Sequence, residues 1–171
     1  KSDAICVLAS TSEVYGAAPE SDNPITESQP FAPVNPYAIS KTTQEHLAQV
    51  YFKSYGVKTV ITRAFGYINQ KRPDLVATAI ARQIAEAEKS GDGIVRHGNT
   101  TPIRTFCDVR DVAEAYWLAA AMCEPGEAYN IGSEVAVSIG DLIHHLTDTA
   151  LRTRKTSASL EFVQDHSLMR P

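Results

Sequence analysis

Tyr37 and Lys41 stand four residues apart, directly behind Asn35-Pro36. On a helix that spacing lays the phenol and the ammonium one above the other on the same face. A free tyrosine ionises near pH ~10 and is a poor acid or base at neutrality. A neighbouring ammonium favours the phenolate by charge. Such a pair is suited to moving a proton on or off a sugar-type hydroxyl. The spacing alone is weak, because Tyr and Lys four apart on a helix usually carry no chemistry. Its meaning depends on what the fold sets opposite it.

The segment upstream supplies a candidate. Ala4-Ile-Cys-Val-Leu8 is a short apolar run that predicts a buried parallel strand, and it ends in Ala9-Ser-Thr-Ser-Glu-Val-Tyr-Gly16. Ser10, Thr11, Ser12 and Glu13 place four polar side chains in a row where a buried strand ends. In open α/β sheets ligands bind in the crevice outside the carboxyl ends of strands. Hydroxyls, a carboxylate, a tyrosine and a lysine would then converge there. The same four residues would also suit a turn capping the next element.

The elements needed to position them alternate along the chain. Pro19, Pro24, Pro30, Pro33 and Pro36 exclude regular helix from about 17 to 35, and Pro36 suits a helical first turn. The helix that follows reaches about Tyr55, before Gly56. Ile39, Thr43, Leu47, Val50 and Ser54 lie on one of its sides and Ala48, Tyr51, Phe52 and Tyr55 near another. Two apolar surfaces predict packing on the sheet and on something else, with a partner subunit the natural candidate. Lys58–Ala64 is the next strand, giving a parallel strand-helix-strand unit. Further on, helices are expected over 75–89 (inner side Leu75, Val76, Ala79, Ile80, Gln83, Ile84, Ala87), over 108–123 with Asp108 as N-cap, and from Ser138 to about Leu151 with Ser138 and Asp141 as a capping-box variant. Ile94-Val95, Ala128–Ile131 and Leu160–Val163 read as strands, and Arg104 falls in a loop before Asp108.

Composition narrows the class. The chain has 171 residues, 43% hydrophobic content and a net charge of -4, which suits one sizeable core and argues against a nucleic-acid footprint. The basic cluster Arg152-Thr-Arg-Lys155 follows a helix and complements its C-terminal dipole. No stretch approaches the ~20 apolar residues of a membrane span, and the N-terminus has no signal-peptide pattern. Cys6, Cys107 and Cys123 form no C-x-x-C pair and read as buried free thiols of a cytoplasmic protein. The five histidines offer no ligand spacing, so no metal is expected.

Taken together, Ser10-Thr-Ser-Glu-Val-Tyr-Gly16 and Asn35-Pro-Tyr-Ala-Ile-Ser-Lys41 resemble the extended short-chain dehydrogenase/reductase family of nucleotide-sugar epimerases, dehydratases and reductases. The likeness continues through Thr62-Arg-Ala-Phe65, the run from Arg104 to Ala113, Ala128–Ser133 and Met169-Arg-Pro171. Ala81–Glu88, Val109–Trp117 and Gly126–Asn130 are most similar to GDP-4-keto-6-deoxy-mannose reductases, with GDP-mannose 4,6-dehydratase as the alternative. The resemblance implies an α/β fold: the C-terminal portion of a Rossmann-type parallel sheet (residues 1–66, carrying the Thr/Tyr/Lys site) plus a smaller α/β substrate-binding subdomain (67–171). Family members begin with a glycine-rich phosphate-binding turn, and none of the nine glycines here forms one. The expectation is an internal piece of a longer enzyme or a shortened relative. A non-catalytic binding module without the cofactor half is the reading of a different class.

The same resemblance implies roles. Tyr37 is the proton-transferring group; Lys41 assists it and holds the nicotinamide ribose; Thr11 hydrogen-bonds the reacting sugar oxygen. Glu13 is either a base or acid at the neighbouring sugar carbons, as in a dehydratase, or a positioning group, as in a reductase. Ser10 and Phe65 join Tyr37 and Lys41 in holding the cofactor, NAD or NADP. Arg104 and Arg170 match arginines that hold the diphosphate, although Thr105 follows Arg104 where the family usually has Asp. Phe65 is followed by Gly66-Tyr67 where the GDP-sugar enzymes read Asn-His, so Asn69 is the candidate for the missing sugar contact. The implied partners are a nucleotide-diphosphate sugar and a second copy of the chain, paired through the helix 37–55.

Overall fold

The computed structural model describes residues 3–91, 93–153 and 160–168. In chain order the elements are β1 (Cys6–Thr11), a 3-10 helix over Ser12–Tyr15, α1 (Pro36–Tyr55), β2 (Thr59–Ala64), β3 (Tyr67–Ile68), α2 (Val76–Ser90), β4 (Ile94–His97), β5 (Ile103–Thr105), β6 (Cys107–Asp108), α3 (Val109–Met122), β7 (Ala128–Ile131), β8 (Ala136–Ser138), α4 (Ile139–Thr153) and β9 (Glu161–Gln164). They form two compact units, one running to Tyr67 and resumed over Cys107–Ser133, the other Ile68–Phe106 with the segment from Glu134 onward. The expected single division between 66 and 67 is therefore replaced by an interleaved one. The chain returns to the first unit because β7 pairs with β2 in the first sheet.

That sheet is parallel, in the order β1-β2-β7. Cys6 lies opposite Thr59 and Thr11 opposite Ala64, and Ile61 lies opposite Ala128. The central β2 is buried from Thr59 to Arg63. Its neighbour β1 lies at the edge and is buried only at Ser10 and Thr11, which corrects the expectation of a strand buried throughout. The α1 helix begins where Asn35, held extended before Pro36, accepts the Ala38 N–H at 2.8 Å. It ends at Gly56, whose φ of +67° is a left-handed cap that a side chain would strain. Gly16 has a second such constraint: at φ +66°, a Cβ would fall on the Ala32 carbonyl oxygen.

The inner face of α1 carries Ala38, Glu45 and Ala48. Glu45 is only 1% exposed and meets Arg63 of β2, itself 6% exposed. The Arg63 Nη2 donates to Glu45 Oε2 at 2.7 Å, and Nε donates to both carboxylate oxygens at 3.1 and 3.2 Å. Its Nη1 donates to the Tyr15 hydroxyl at 2.9 Å and to the Glu27 carbonyl at 3.0 Å. The Tyr15 hydroxyl donates in turn to Asn130 Oδ1 at 2.7 Å, and Ser10 donates to Glu45. The guanidinium lies between the rings of Tyr15 and Phe31, 5.1 and 4.8 Å from their centroids. Burial acts to lower the Arg63 pKa, but hydrogen bonds and charge from Glu45 and Tyr15 hold it above its ordinary value. Burial pushes the Tyr15 phenol up.

The second unit is organised around Ile80 and Ile84 of α2, Val95 of β4, and Ile139 and Ile143 of α4, with Phe106, Leu146, Ala150 and Leu160 packed against them. On α2 the buried residues are Ala77, Ile80, Ile84 and Ala87, while Val76, expected inside, is exposed. Val76 is the first helical residue, so the inner stripe starts one position later. Gln83 has a role of its own: its amide bonds both the N–H and the C=O of Arg96, at 2.8 and 3.0 Å, as a neighbouring strand would. β4 pairs in parallel with β9, and β5 pairs antiparallel with β8. Arg104 thus lies in a strand rather than the expected loop. At the start of α4, Ser138 Oγ accepts the Asp141 N–H at 2.9 Å and Asp141 Oδ2 accepts the Ser138 N–H at 3.3 Å, a complete capping box.

The three cysteines are free, as read from their spacing, but not buried: Cys6 is exposed and Cys107 and Cys123 are half-buried. Cys6 is the first residue of β1, the edge strand of the sheet.

Two stability measurements follow. Glu45→Ala leaves a buried guanidinium without its counter-charge and should lower the unfolding free energy by about 3–5 kcal/mol in urea titration. The double variant Glu45→Leu/Arg63→Met should recover part of that loss; a double variant as unstable as the sum of the singles would contradict the pairing. Ser138→Ala removes the α4 cap and should lower the unfolding free energy by about 1 kcal/mol in the same assay.

Candidate active site

At the end of β1 the polar row takes two directions. Ser10 turns inward to Glu45, so its hydroxyl belongs to the buried network. Thr11 is buried and caps the 3-10 helix, its Oγ1 accepting the Glu13 N–H at 3.3 Å. Glu13 is exposed, and its Oε2 accepts from Asn35 Nδ2 at 2.8 Å. The turn foreseen for this row is therefore present, and the Glu13 carboxylate is exposed beside it.

The first turns of α1 complete this surface. Tyr37 is 50% exposed. The Lys41 ammonium lies 5.8 Å from its ring centroid, as the four-residue spacing requires. The same ammonium donates to the Ala9 carbonyl at 2.9 Å, and more loosely to Gln44 Oε1 at 3.5 Å. An ammonium has three protons, so after these two contacts Lys41 retains a donor. Thr11, Glu13, Tyr37 and Lys41 are thus gathered where β1 meets the N-terminal turns of α1. Two links missed in the sequence hold them there: Asn35, signalled by its place before Pro36, and Glu45, signalled by a carboxylate on the inner stripe of a helix.

Phe65, just past β2, has its ring 6.3 Å from that of Tyr15 and against Gly132, where an added Cβ would come within 3.4 Å. The Gly66 carbonyl accepts the Cys107 N–H at 3.0 Å, a backbone role that needs no side chain. Tyr67 lines an apolar cavity of about 150 Å³ with Val109, Val112, Ala113 and Tyr116. Tyr67 thus shares this cavity with residues of α3.

The remaining candidates belong to the second unit. Asn69 Oδ1 accepts the Lys71 N–H at 3.0 Å and its carbonyl accepts from Thr78 at 2.9 Å, fixing the entry to α2. Arg104 is exposed on β5, with Nη1 donating to the Ile103 carbonyl at 2.7 Å. Arg170 lies outside the described residues, as do Arg154 and Lys155 of the basic cluster. Among the described residues, no group of three His, Cys, Asp or Glu side chains is arranged to hold a metal ion, and no helix is long and apolar enough to cross a membrane.

Comparison with known proteins gives the family of the chain. The family model described as GDP-mannose 4,6 dehydratase matches residues 1–171. GDP-6-deoxy-D-mannose reductase of Pseudomonas aeruginosa is 34% identical over 163 residues, covering 94% of this chain and 52% of the relative. The dTDP-D-glucose 4,6-dehydratase of Mus musculus is 32% identical over 170 residues, covering 96% of this chain and 46% of the relative. The chain therefore spans about half the length of the curated relatives it matches. Among solved structures, RMD from Pseudomonas aeruginosa complexed with NADPH superposes with a TM-score of 0.87 at 32% identity, covering 95% of this chain and 53% of that one. The dTDP-glucose 4,6-dehydratase of Bacillus anthracis in complex with NAD gives 0.78 at 25% identity, covering 93% and 49%. A parallel β1-β2-β7 sheet, a Tyr37/Lys41 helix and a match along the whole chain lead to one conclusion: the chain belongs to the GDP-mannose 4,6-dehydratase family of extended short-chain dehydrogenases/reductases.

Proposed function

We propose that this chain is the catalytic and substrate-binding portion of an NAD(P)-dependent nucleotide-sugar oxidoreductase acting at the sugar C4, of the GDP-4-keto-6-deoxy-mannose reductase type. The observation that carries the reading is the Lys41 ammonium, set 5.8 Å from the Tyr37 ring and anchored on Ala9, next to Ser10 and Thr11. That donor set fits a nicotinamide ribose: Lys41 keeps a proton to donate and the Tyr37 phenol is half-exposed. When bound, the nicotinamide supplies hydride transfer.

In this reading Tyr37 gives its proton to, or takes it from, the C4 oxygen. Thr11 hydrogen-bonds the same oxygen. Lys41 contributes positive charge beside the phenol and a hydrogen bond to the ribose. Phe65, backed by Tyr15 and Gly132, offers an apolar wall to the cofactor; Ser10 contributes through its backbone, since its hydroxyl is committed to Glu45. The second unit, with Arg104, Arg170 and Asn69, binds the substrate: the guanidinium groups take the diphosphate and Asn69 a sugar hydroxyl. Three free cysteines fit a cytoplasmic setting.

A dehydratase is the second reading. It is favoured by the exposed Glu13 carboxylate held at the strand end by Asn35, available to take a proton from a sugar carbon next to C4. A homodimer through α1 is supported by the row Ile39, Leu47, Val50, Tyr51 and Tyr55, all more than half exposed on a helix whose opposite face is packed.

Two experiments test these statements. In the complete protein, Tyr37→Phe should lower turnover of GDP-4-keto-6-deoxy-mannose with NADPH by at least about 100-fold while leaving the thermal midpoint in place. Retained turnover would remove Tyr37 from the proton-transfer role. Given GDP-mannose and NADP instead, formation of a 4-keto-6-deoxy product would favour the dehydratase. Val50→Glu should convert a dimer to a monomer in analytical ultracentrifugation; an unchanged sedimentation coefficient would place any dimer contact elsewhere.

A further inference from the structure

We propose that Asn35 is a positioning residue for Glu13, tying its carboxylate to the start of the helix that carries Tyr37. This rests on the reading of Glu13 and Tyr37 as groups that face substrate. The Asn35 Oδ1 accepts the Ala38 N–H at 2.8 Å, and its Nδ2 donates to Glu13 Oε2 at 2.8 Å. Both ends of one planar amide are therefore used. The two partners also decide which end is which: rotated by half a turn, the amide would set its NH2 against the Ala38 N–H and its oxygen against a carboxylate. Pro36 holds the Asn35 backbone extended, so the amide starts from a preset direction.

Helix capping by itself does not call for asparagine. Asp and Ser accept the same helix N–H about as well. What asparagine adds is a donor at the same place, and that donor meets Glu13. Glu13 is also held from its other side, its N–H donating to Thr11 Oγ1 at 3.3 Å. Thr11, Glu13 and the first turn of α1, with Tyr37 in it, are thereby linked by hydrogen bonds through the Glu13 backbone N–H, the Glu13 carboxylate and the Asn35 amide. Without the amide donor, an exposed glutamate would sample several rotamers and present its carboxylate to substrate only part of the time.

The test uses cap-competent variants of the complete protein. Asn35→Ser and Asn35→Asp keep an acceptor for the Ala38 N–H but lose the donor to Glu13, and Asn35→Asp adds a like charge. Both should retain the wild-type urea midpoint and NADPH affinity. For GDP-mannose or GDP-4-keto-6-deoxy-mannose, whichever the wild type turns over, kcat should fall about tenfold in Asn35→Ser and further in Asn35→Asp, with KM changed less than about threefold. Separately, the Asn35 side-chain amide resonances should move to solvent-exposed positions in Glu13→Ala. An active wild type whose Asn35→Ser variant keeps full kcat, or an amide signal indifferent to Glu13→Ala, overturns the positioning role and leaves the enzymatic reading standing. A wild type that turns over neither sugar overturns the enzymatic reading itself.

Discussion

The buried pair of Glu45 and Arg63 is the constraint from which the geometry of the first unit follows. A charge pair removed from water contributes little net stability, because desolvation offsets most of the attraction. Its effect is on geometry. The Arg63 fork has fixed donor directions, and each of its three nitrogens donates: Nε and Nη2 to Glu45 of α1, Nη1 to Tyr15 of the 3-10 helix and to the Glu27 carbonyl of the proline-rich loop. Through Ser10 and Asn130 the network also reaches β1 and β7. A slide of α1 by one turn would leave both charges unpaired in the interior. The helix is thus held at one axial position on the sheet.

That position determines what the first turns of α1 can touch. Lys41 precedes Glu45 by one turn on the same face, so fixing Glu45 over Arg63 brings the ammonium to the Ala9 carbonyl. Six residues before Lys41, Asn35 arrives at Glu13. The helix therefore has three regions: an inner stripe that locks it, an N-terminal end that carries Tyr37 and Lys41, and an outer apolar row that is exposed. In the reading proposed above, this arrangement keeps the Tyr37 phenol on a rigid element, as a preorganised site requires.

Much of this was legible in the chain. Tyr37 and Lys41 meet because four residues make about one helical turn. Asp108 and Ser138 cap their helices because short polar side chains reach backbone N–H groups two or three residues on. Gly56 ends α1 because the left-handed cap favours glycine. Each of these depends on partners only a few residues away. The misreadings have the opposite character. Nothing near Ser10 in the chain signals that its hydroxyl turns inward to a glutamate 35 residues away. Arg104 was placed in a loop because three residues of β5 carry too little pattern to mark a strand; its pairing with β8 comes from far along the chain. The division at residue 66 failed to foresee that β7 closes the first sheet.

The sequence by itself determined the types of element, their caps and the phenol–ammonium pair, since these are set by interactions within one or two turns of backbone. Tertiary structure alone decided which face of α1 turns inward, which polar residues are buried and where Glu13 is held. Those outcomes depend on partners 18 residues apart for Arg63 and Glu45 and 115 apart for Tyr15 and Asn130. A glutamate on the inner stripe of a helix and an arginine inside a strand are each unfavourable alone, because burying a charge without a counter-charge is costly. Only the packing that brings them together makes either one stable, and that packing carries Lys41 and Asn35 to the end of β1.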